Sequence, residues 1–136
     1  MGRTSPPISW LLGTREALPP TVLAKFPELA EIRLRRGGLP PRIGGWFLGR
    51  ASVAGITLGR SVWLAPGVPA SEELLLHEYR HVLQFQASAT FPFRYVWESL
   101  RRGYWSNTFE VDARRYVALR LHPNHVGLQD KERTIG

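Results

Sequence analysis

The stretch LLLHEYRHVLQFQ, residues 74–86, carries two histidines one helical turn apart inside an otherwise apolar segment. Ser71 precedes it as a candidate N-cap, and Glu72 and Glu73 follow in the first turn, where acidic side chains favour the helix dipole. The stretch therefore predicts a central helix that begins after Ser71 and ends near Ala89.

The predicted helix has two opposite faces, because successive side chains are rotated by about 100°. His77, His81 and Gln84 share one face, and Glu78 lies at its flank. The apolar face consists mainly of Leu75, Tyr79, Val82 and Leu83. A polar stripe on a helix that is otherwise largely apolar is not typical of a solvated surface, so we expect this stripe to have a function.

The pattern His77-Glu78-x-x-His81 has the spacing of a zinc site. Two imidazoles at i and i+4 of a helix both reach one Zn²⁺ at about 2.0 to 2.1 Å. Zinc lowers the pKa of its bound water towards about 7, and a neighbouring carboxylate accepts the proton as that water attacks a polarised carbonyl. Glu78 is thus the expected general base. The alternative is two partly exposed histidines beside a surface glutamate.

A catalytic zinc site needs a third protein ligand and an open fourth position. Gln84 and Ala87 stand where the metzincin pattern requires Gly and His, which excludes that subclass. The downstream candidates for the third ligand are Glu98, Glu110, Asp112, His122 and His125. Glu110 is favoured, because its predicted helix could pack across the histidine face. The alternative is a capping box between Asn107 and Glu110, with an ordinary i,i+4 pair to Arg114.

Length and composition limit the rest of the chain. At 136 residues and 43% hydrophobic, it predicts one domain over residues 21–136, preceded by a flexible arm over the Pro- and Gly-rich residues 1–20. No cysteine is present, so a metal must be held by imidazole and carboxylate. No secretory signal peptide or membrane-spanning run is apparent, and we expect a soluble protein, either cytoplasmic or exported by another route.

The net charge of +7 is carried mainly by arginine, in clusters at residues 33–36, 101–102 and 114–115. An ordinary solvated surface explains these clusters, but an acidic partner, a membrane surface or nucleic acid could also bind them. Nucleic acid is not the first choice, because no cluster lies in a known nucleic-acid-binding motif.

The other elements follow from periodicity and turn residues. Helices are predicted at residues 21–30, 95–102 and 108–121, an edge strand within residues 31–36, and a hairpin of residues 46–57 and 61–65 that turns at Gly59 and Arg60. The predicted fold class is α+β, with a small antiparallel sheet packed on the central helix and one or two further helices. Strand 61–65 is expected to line the cleft and to bind an extended peptide by strand addition.

Three motifs in order, AGITLGRSVWLAPG (54–67), LLLHEYRHVLQFQ (74–86) and NTFEVDA (107–113), resemble one family over about residues 31–118. This family is the small gluzincin-like, zincin-fold metallopeptidase domain associated with bacterial extracellular contractile injection systems. The resemblance implies that His77, His81 and Glu110 bind zinc and that Glu78 is the general base. Tyr79-Arg80 departs from the family, which more often has small or aliphatic residues there.

Further residues are candidates for supporting roles. Gln84, Asn107 and Asp112 could orient the ligands, although Gln84 could simply pack and Asp112 could pair with Arg114 or Arg115. The candidates for stabilising an oxyanion are Tyr104, Tyr116, His122 and His125.

The segment FPFRYVWESLRRGYW, residues 91–105, interleaves aromatic residues with arginines. Core packing beneath the cleft explains it. The alternatives are a hydrophobic wall for the substrate or a surface that meets a membrane or a partner protein.

The sequence thus predicts a zinc-dependent metallopeptidase that cleaves a peptide or protein substrate. Two alternatives belong to other classes: a zinc-stabilised interaction module of a secretion or effector assembly, without turnover, and a basic nucleic-acid-binding domain.

Overall fold

The structure is a computed structural model and describes residues 8–42 and 54–123. Its elements include α1 (Ile8–Leu12), β1 (Thr14–Arg15), α2 (Pro20–Lys25), a 3₁₀ helix (Pro27–Glu31), β2 (Arg33–Arg36), β3 (Gly55–Leu58), β4 (Ser61–Leu64), α3 (Glu72–Ala87), α4 (Phe91–Arg102) and α5 (Thr108–Leu121). The predicted α+β class is confirmed.

The described strands form one four-stranded sheet in the order β1-β2-β4-β3. β1 and β2 are antiparallel, as are β3 and β4, which turn at Gly59 with a φ of +63° that glycine adopts without strain. β2 and β4 are parallel, with Leu34 opposite Val62. The prediction of an antiparallel sheet was wrong for this central pair. Parallel neighbours need a long connection, which residues 37–60 provide.

The positions of two strands within the sheet also differ from the prediction. β2 is internal, between β1 and β4, rather than an edge strand. β4 is paired on both sides, so it has no free edge for an added peptide strand. Buried Val62, Trp63 and Leu64 explain why β4 is central. β3 stands at the end of the described sheet, and residues 46–53 of the predicted first hairpin strand lie outside the described residues.

Part of the arm predicted for residues 1–20 is built into the fold. β1 pairs with the end of β2, and Glu16 forms a salt bridge of 2.7 Å with Arg36. Trp63 Nε1 donates to the Leu12 carbonyl at 2.9 Å, which ties α1 to the sheet. Residues 1–7 lie outside the described residues, and the domain boundary at residue 20 stays a prediction.

The helix predicted for residues 21–30 is interrupted. α2 ends at Lys25, Phe26 leaves the helical region with φ −129° and ψ 76°, and a 3₁₀ turn follows from Pro27. The proline ring disfavours helical backbone at the preceding residue, which explains the break. Phe26, after α2, and Leu29, in the 3₁₀ turn, are both buried and belong to the hydrophobic core.

α3 is the central helix of the molecule. The Ser71 hydroxyl accepts from the Leu74 amide at 3.2 Å, which confirms the predicted N-cap, and the helix ends two residues earlier than predicted. Leu75, Leu76 and Val82 are fully buried in one core with residues of β2, β4 and α5. The opposite side of α3, which carries the histidines, is therefore the side on which a functional site could form.

The last two helices cover that side. α5 has the predicted bounds, whereas α4 begins at Phe91, four residues earlier than expected, because Pro92 fits the first turn of a helix. Within residues 8–42 and 54–123, no helix is long and apolar enough to cross a membrane.

Candidate metal centre

Three ligand-type side chains from two helices converge on one point. His77 Nε2 lies 2.8 Å from Glu110 Oε2, and His81 Nε2 lies 3.1 Å from Glu110 Oε1. One donor atom from each of the three residues lies within 4.8 Å of the others. This His-His-Glu group is positioned to bind a metal ion, and it unites the three residues that the sequence predicted as ligands.

The packing of α5 across α3 brings Glu110 to the histidines. The side of α5 that faces inward is buried at Glu110, Ala113 and Val117. The Asn107 carboxamide oxygen caps α5 by accepting from the Phe109 amide at 2.9 Å. The Glu110 carboxylate does not complete a capping box, since the backbone N–H of Asn107 donates to the Tyr104 carbonyl instead. Its two oxygens therefore remain directed at the histidines.

Charge interactions within the group oppose the effect of burial. Burial alone would lower the pKa of His81, but the hydrogen bond to Glu110 and the nearby charge of Glu78 raise that pKa to about 9. Burial alone would raise the pKa of Glu110, but its hydrogen bonds with the two histidines and Tyr95 lower that pKa well below its usual range. The carboxylate is thus held ionised, which is the form that binds a metal.

Gln84 and Asp112 fix the orientation of His81. Gln84 Nε2 donates to Asp112 Oδ2 at 2.9 Å and to the Phe109 carbonyl at 3.1 Å, so its oxygen faces His81. That oxygen accepts from His81 Nδ1 at 2.7 Å. In the neutral imidazole the proton is thereby assigned to Nδ1, which leaves the Nε2 lone pair for a metal.

Asp112 is in turn held by Arg80 rather than by Arg114 or Arg115. Arg80 Nε donates to Asp112 Oδ2 at 2.7 Å. Burial raises the pKa of Asp112, but the hydrogen bonds from Arg80 and Gln84 lower it on balance. Arg80, at the position that departs from the family pattern, therefore has an internal role in linking α3 to α5.

Glu78 is fixed by the edge strand of the sheet. Thr57 Oγ1 lies 2.7 Å from Glu78 Oε2, and Glu78 is only 5% exposed. A Cβ atom at Gly55 would stand 2.9 Å from Glu78 Oε1, so that position admits no side chain without a shift. The negative charge of Glu78 also contributes to the raised pKa values of His81 and Tyr95.

Two tyrosines border the same group. Tyr95 donates its hydroxyl to Glu110 Oε1 at 2.6 Å. Burial and the charge of Glu110 raise the pKa of both Tyr95 and Tyr104 above the usual range, so both phenols stay protonated and act as donors. Tyr116 lies elsewhere: it packs against Tyr79 and Arg80 on the core side of α3.

The spacing of the group suits a metal ion. His77 Nε2 and His81 Nε2 each lie against one oxygen of the Glu110 carboxylate, at 2.8 and 3.1 Å, so the two imidazoles and the carboxylate are positioned to share one ion. His77 is 18% exposed at its side chain and Glu110 only 3%. Solvent therefore reaches the group from the His77 side.

Other candidates for the third ligand are not part of this group. Glu98 pairs with Arg102 at 3.3 Å and accepts from Thr108. His122 is exposed beyond the end of α5, and His125 lies outside the described residues. Within residues 8–42 and 54–123, the His-His-Glu group is the one cluster of ligand-type residues that could hold a metal.

Several arginines of the predicted basic clusters have intramolecular partners. Arg36 binds Glu16, Arg102 binds Glu98, and Arg114 donates to the Trp105 carbonyl while stacking on its ring.

Two contributors to the site were missed from sequence. Tyr95 appeared only as one aromatic residue among several, and Gly55 as part of a strand. A hydroxyl-bearing aromatic between the His-Glu-x-x-His helix and the downstream glutamate was the available signal for Tyr95. For Gly55, the signal was a glycine inside a strand, which often marks a close approach of another group.

Comparisons with protein-family models, curated proteins and solved structures find no match for this chain. Evidence for the chemistry of the centre therefore comes from its own geometry.

Proposed function

We propose that this protein is a zinc-dependent metallopeptidase of the gluzincin type. The observation that carries the proposal is Glu78, a buried carboxylate next to His77 in the sequence that Thr57 holds in place and whose charge acts on His81. A purely structural metal site has no need of a second carboxylate that is oriented separately from the ligands. This function is also what the resemblance to the injection-system family implies.

The donor set favours zinc among the common metals. Two imidazoles and one carboxylate form the ligand set of well-known catalytic zinc sites, which keep a fourth position for water or substrate. Magnesium and calcium prefer all-oxygen sites, and thiolate-dependent metals lack a ligand because the chain contains no cysteine.

Each residue has a distinct role in the proposed reaction. When bound, zinc supplies Lewis acidity towards a carbonyl oxygen and acidity to a water molecule. Glu78 accepts the proton of that water and delivers it to the leaving amine. Tyr104, a protonated phenol, donates a hydrogen bond to the developing oxyanion, because the Tyr95 hydroxyl is already bonded to Glu110. Gln84 keeps the His81 ring in its ligand orientation.

The substrate is best held on β3 rather than on β4. β3 stands at the end of the described sheet, and Gly55 on this strand contacts Glu78. An extended peptide that pairs with such an edge carries its main chain past the general base, because strand addition uses main-chain hydrogen bonds. The proposed substrate is therefore an unstructured peptide or an extended protein segment.

The first test is metal content. Wild type, His81→Ala and Glu110→Ala are purified, loaded with zinc, dialysed against a weak chelator and measured by elemental analysis. We expect about one zinc per wild-type chain and a large loss in both variants, because each removes one of three ligands. A wild type that retains no zinc, or a Glu110→Ala variant that retains it fully, would refute the proposed centre.

The second test separates catalysis from metal binding. Glu78→Gln should keep its zinc but lose at least about a hundredfold in the rate at which it cleaves a quenched-fluorescent peptide library, because the amide cannot accept the proton. Glu73→Gln, on the exposed first turn of the same helix, is the matched control and should cleave like wild type. Equal cleavage by the Glu78→Gln variant would sink the mechanism. Zinc binding without cleavage by wild type would favour the interaction module.

A further inference from the structure

The outer face of α4 carries a continuous apolar stripe. Phe93, Val96, Trp97 and Leu100 are 78%, 41%, 64% and 71% exposed, respectively. Their spacing of three, four and seven residues puts them on one side of the helix. Single large apolar side chains are ordinary on a protein surface. Four on one side of a helix form a contiguous exposed apolar patch, which is typical of an interaction surface.

The stripe is separate from the side of α4 that packs against the rest of the protein. The opposite side of α4 already faces the core, with Phe91 and Ser99 buried and Tyr95 bonded to Glu110. α4 is thus apolar on two sides, one turned to the metal centre and one to solvent. A shallow groove of about 280 Å³ beside the stripe, lined in part by Phe93, Trp97 and Phe109, adds further apolar surface.

The exposed charges along one flank of the stripe are positive. At about 100° per residue, Arg94 and Arg101 lie along one flank of the stripe. Arg94 is exposed and stacks over Phe109, and Arg101 is also exposed. α4 contains one acidic residue, Glu98, which lines the groove beside the stripe and whose charge is paired with Arg102. The chain as a whole carries a net charge of +7.

We infer that the outer face of α4 docks on the surface of an anionic lipid bilayer. An amphipathic helix with Trp, Phe and Leu on one face and arginine beside them has the composition of helices that lie in the membrane interface. Arginines near such a surface add electrostatic attraction to anionic headgroups. Trp97 and the 72% exposed Trp105 supply rings of the kind that settle at the headgroup level.

The charge pattern argues against a second copy of this chain as the occupant. Two copies docked through the same face would bring Arg94 and Arg101 of each close to those of the other. Like charges at an interface oppose association unless acids intervene, and the stripe contains none. An anionic bilayer satisfies both the apolar side chains and the arginines.

Docking through α4 has a consequence for the metal centre. Tyr95 on the inner side of this helix holds Glu110, so the centre would lie within one helix diameter of the bilayer, about 10 Å. Substrates close to a membrane surface would then be the accessible ones. The inference on binding is independent of the proposed peptidase activity, since it concerns the opposite side of α4.

The test is co-sedimentation of the full chain with phosphatidylcholine vesicles that contain about one quarter phosphatidylglycerol. The critical variant is Leu100→Glu, and the matched control is Leu119→Glu, which puts the same charge at a 39% exposed leucine of α5. We expect Leu100→Glu to lower the partition coefficient roughly tenfold or more, and the control to stay within about threefold of wild type. Arg101→Gln should weaken binding and its salt dependence.

The outcomes are distinct. Two results together support the inference. Wild type binds anionic vesicles and binds neutral phosphatidylcholine vesicles at least about tenfold less, and of the two leucine variants only Leu100→Glu loses vesicle binding. Wild type that fails to sediment with anionic vesicles, or a Leu100→Glu variant that binds as well as wild type, overturns it. A wild-type dimer in light scattering that Leu100→Glu dissociates, without vesicle binding, also overturns it in favour of self-association. Unchanged circular dichroism and zinc content establish that both variants are folded.

Discussion

Glu110 owes its orientation to donors on two other helices. Tyr95 holds Oε1 at 2.6 Å, and His77 holds Oε2 at 2.8 Å, so neither oxygen is left to rotate. A carboxylate fixed in this way loses little conformational freedom when a metal binds, which strengthens the site. The reverse dependence also holds, since Glu110 is the group against which both histidine rings are aligned.

Thr57 should matter for catalysis without touching the metal. Thr57→Val preserves shape but removes the hydroxyl that fixes Glu78 Oε2. We expect unchanged zinc content, a peptide-cleavage rate lower by about ten- to a hundredfold, and a loss of about 1 to 3 kcal/mol in the free energy of unfolding, because a buried oxygen loses its partner. Thr57→Ser keeps the hydroxyl and should behave like wild type. Full activity and stability in Thr57→Val would mean that Glu78 needs no such anchor.

Gln84 should control zinc affinity through His81. Gln84→Leu removes the oxygen that accepts from His81 Nδ1 and the amide that bonds to Asp112. We expect the zinc dissociation constant to rise about ten- to a hundredfold in competition with a chromophoric chelator. Gln86→Leu, on an exposed position of the same helix, should leave that constant unchanged. Equal affinities for the two variants would reduce Gln84 to a packing residue.

Among the elements, α4 and α5 depend on each other through Asn107. This residue is fully buried and caps α5 through its side-chain oxygen. Its side-chain Nδ2 donates to the Tyr95 carbonyl at 3.1 Å and to Ser99 Oγ at 2.8 Å. One side chain therefore sets the angle between the helix that carries Glu110 and the helix that carries Tyr95. The role expected for Asn107 near the ligands is indirect: it positions the helices, not the rings.

Asn107→Ala should destabilise the chain by about 2 to 4 kcal/mol, since it removes a cap and leaves buried groups unpaired. The measurement is urea denaturation in the presence of a chelator, so that metal binding does not contribute. Ser71→Ala removes the exposed cap of α3 and should cost only about 1 kcal/mol. A loss in Asn107→Ala no larger than that of Ser71→Ala would contradict the linking role.

For the whole molecule, the His-His-Glu group is a second point, besides the core, at which α3 and α5 meet. Val117 of α5 contributes to the core formed by the sheet and α3, whereas α4 adds Phe91 among the rings of Phe85 and Phe109, outside the main cluster. A metal ion held by α3 and α5 would tie the two helices together at the point where Tyr95 of α4 also meets them. Metal binding and folding stability are then linked.

Zinc should raise the stability of the folded chain. At a free zinc concentration about a hundredfold above the dissociation constant, the free energy of unfolding should increase by about 2.7 kcal/mol. Thermal unfolding with buffered zinc and with a chelator measures this difference, and Glu110→Ala should lose most of it. A wild-type melting temperature that is the same in zinc and in chelator would contradict the proposed centre.

Local patterns in the sequence were sufficient for much of the site. The apolar period and the Ser71 cap defined α3, Asn107 marked the start of α5, and Gly59 marked the hairpin. These features depend on residues within a few positions of one another, through helix geometry, end capping and turn conformation. The ligand set followed from the spacing of the histidines together with the family resemblance.

Long-range partners could not be read from such patterns. Four contacts join segments that are far apart in the sequence. They are the parallel pairing of β2 with β4, the antiparallel pairing of β1 with β2, the hydrogen bond from Tyr95 to Glu110, and the close approach of Gly55 to Glu78. Hydrophobic burial is not directional, so it identifies which faces are covered but not by which element. Those choices arise only when the whole core packs, and here they decide which strand stands at the end of the described sheet and how Glu78 is held.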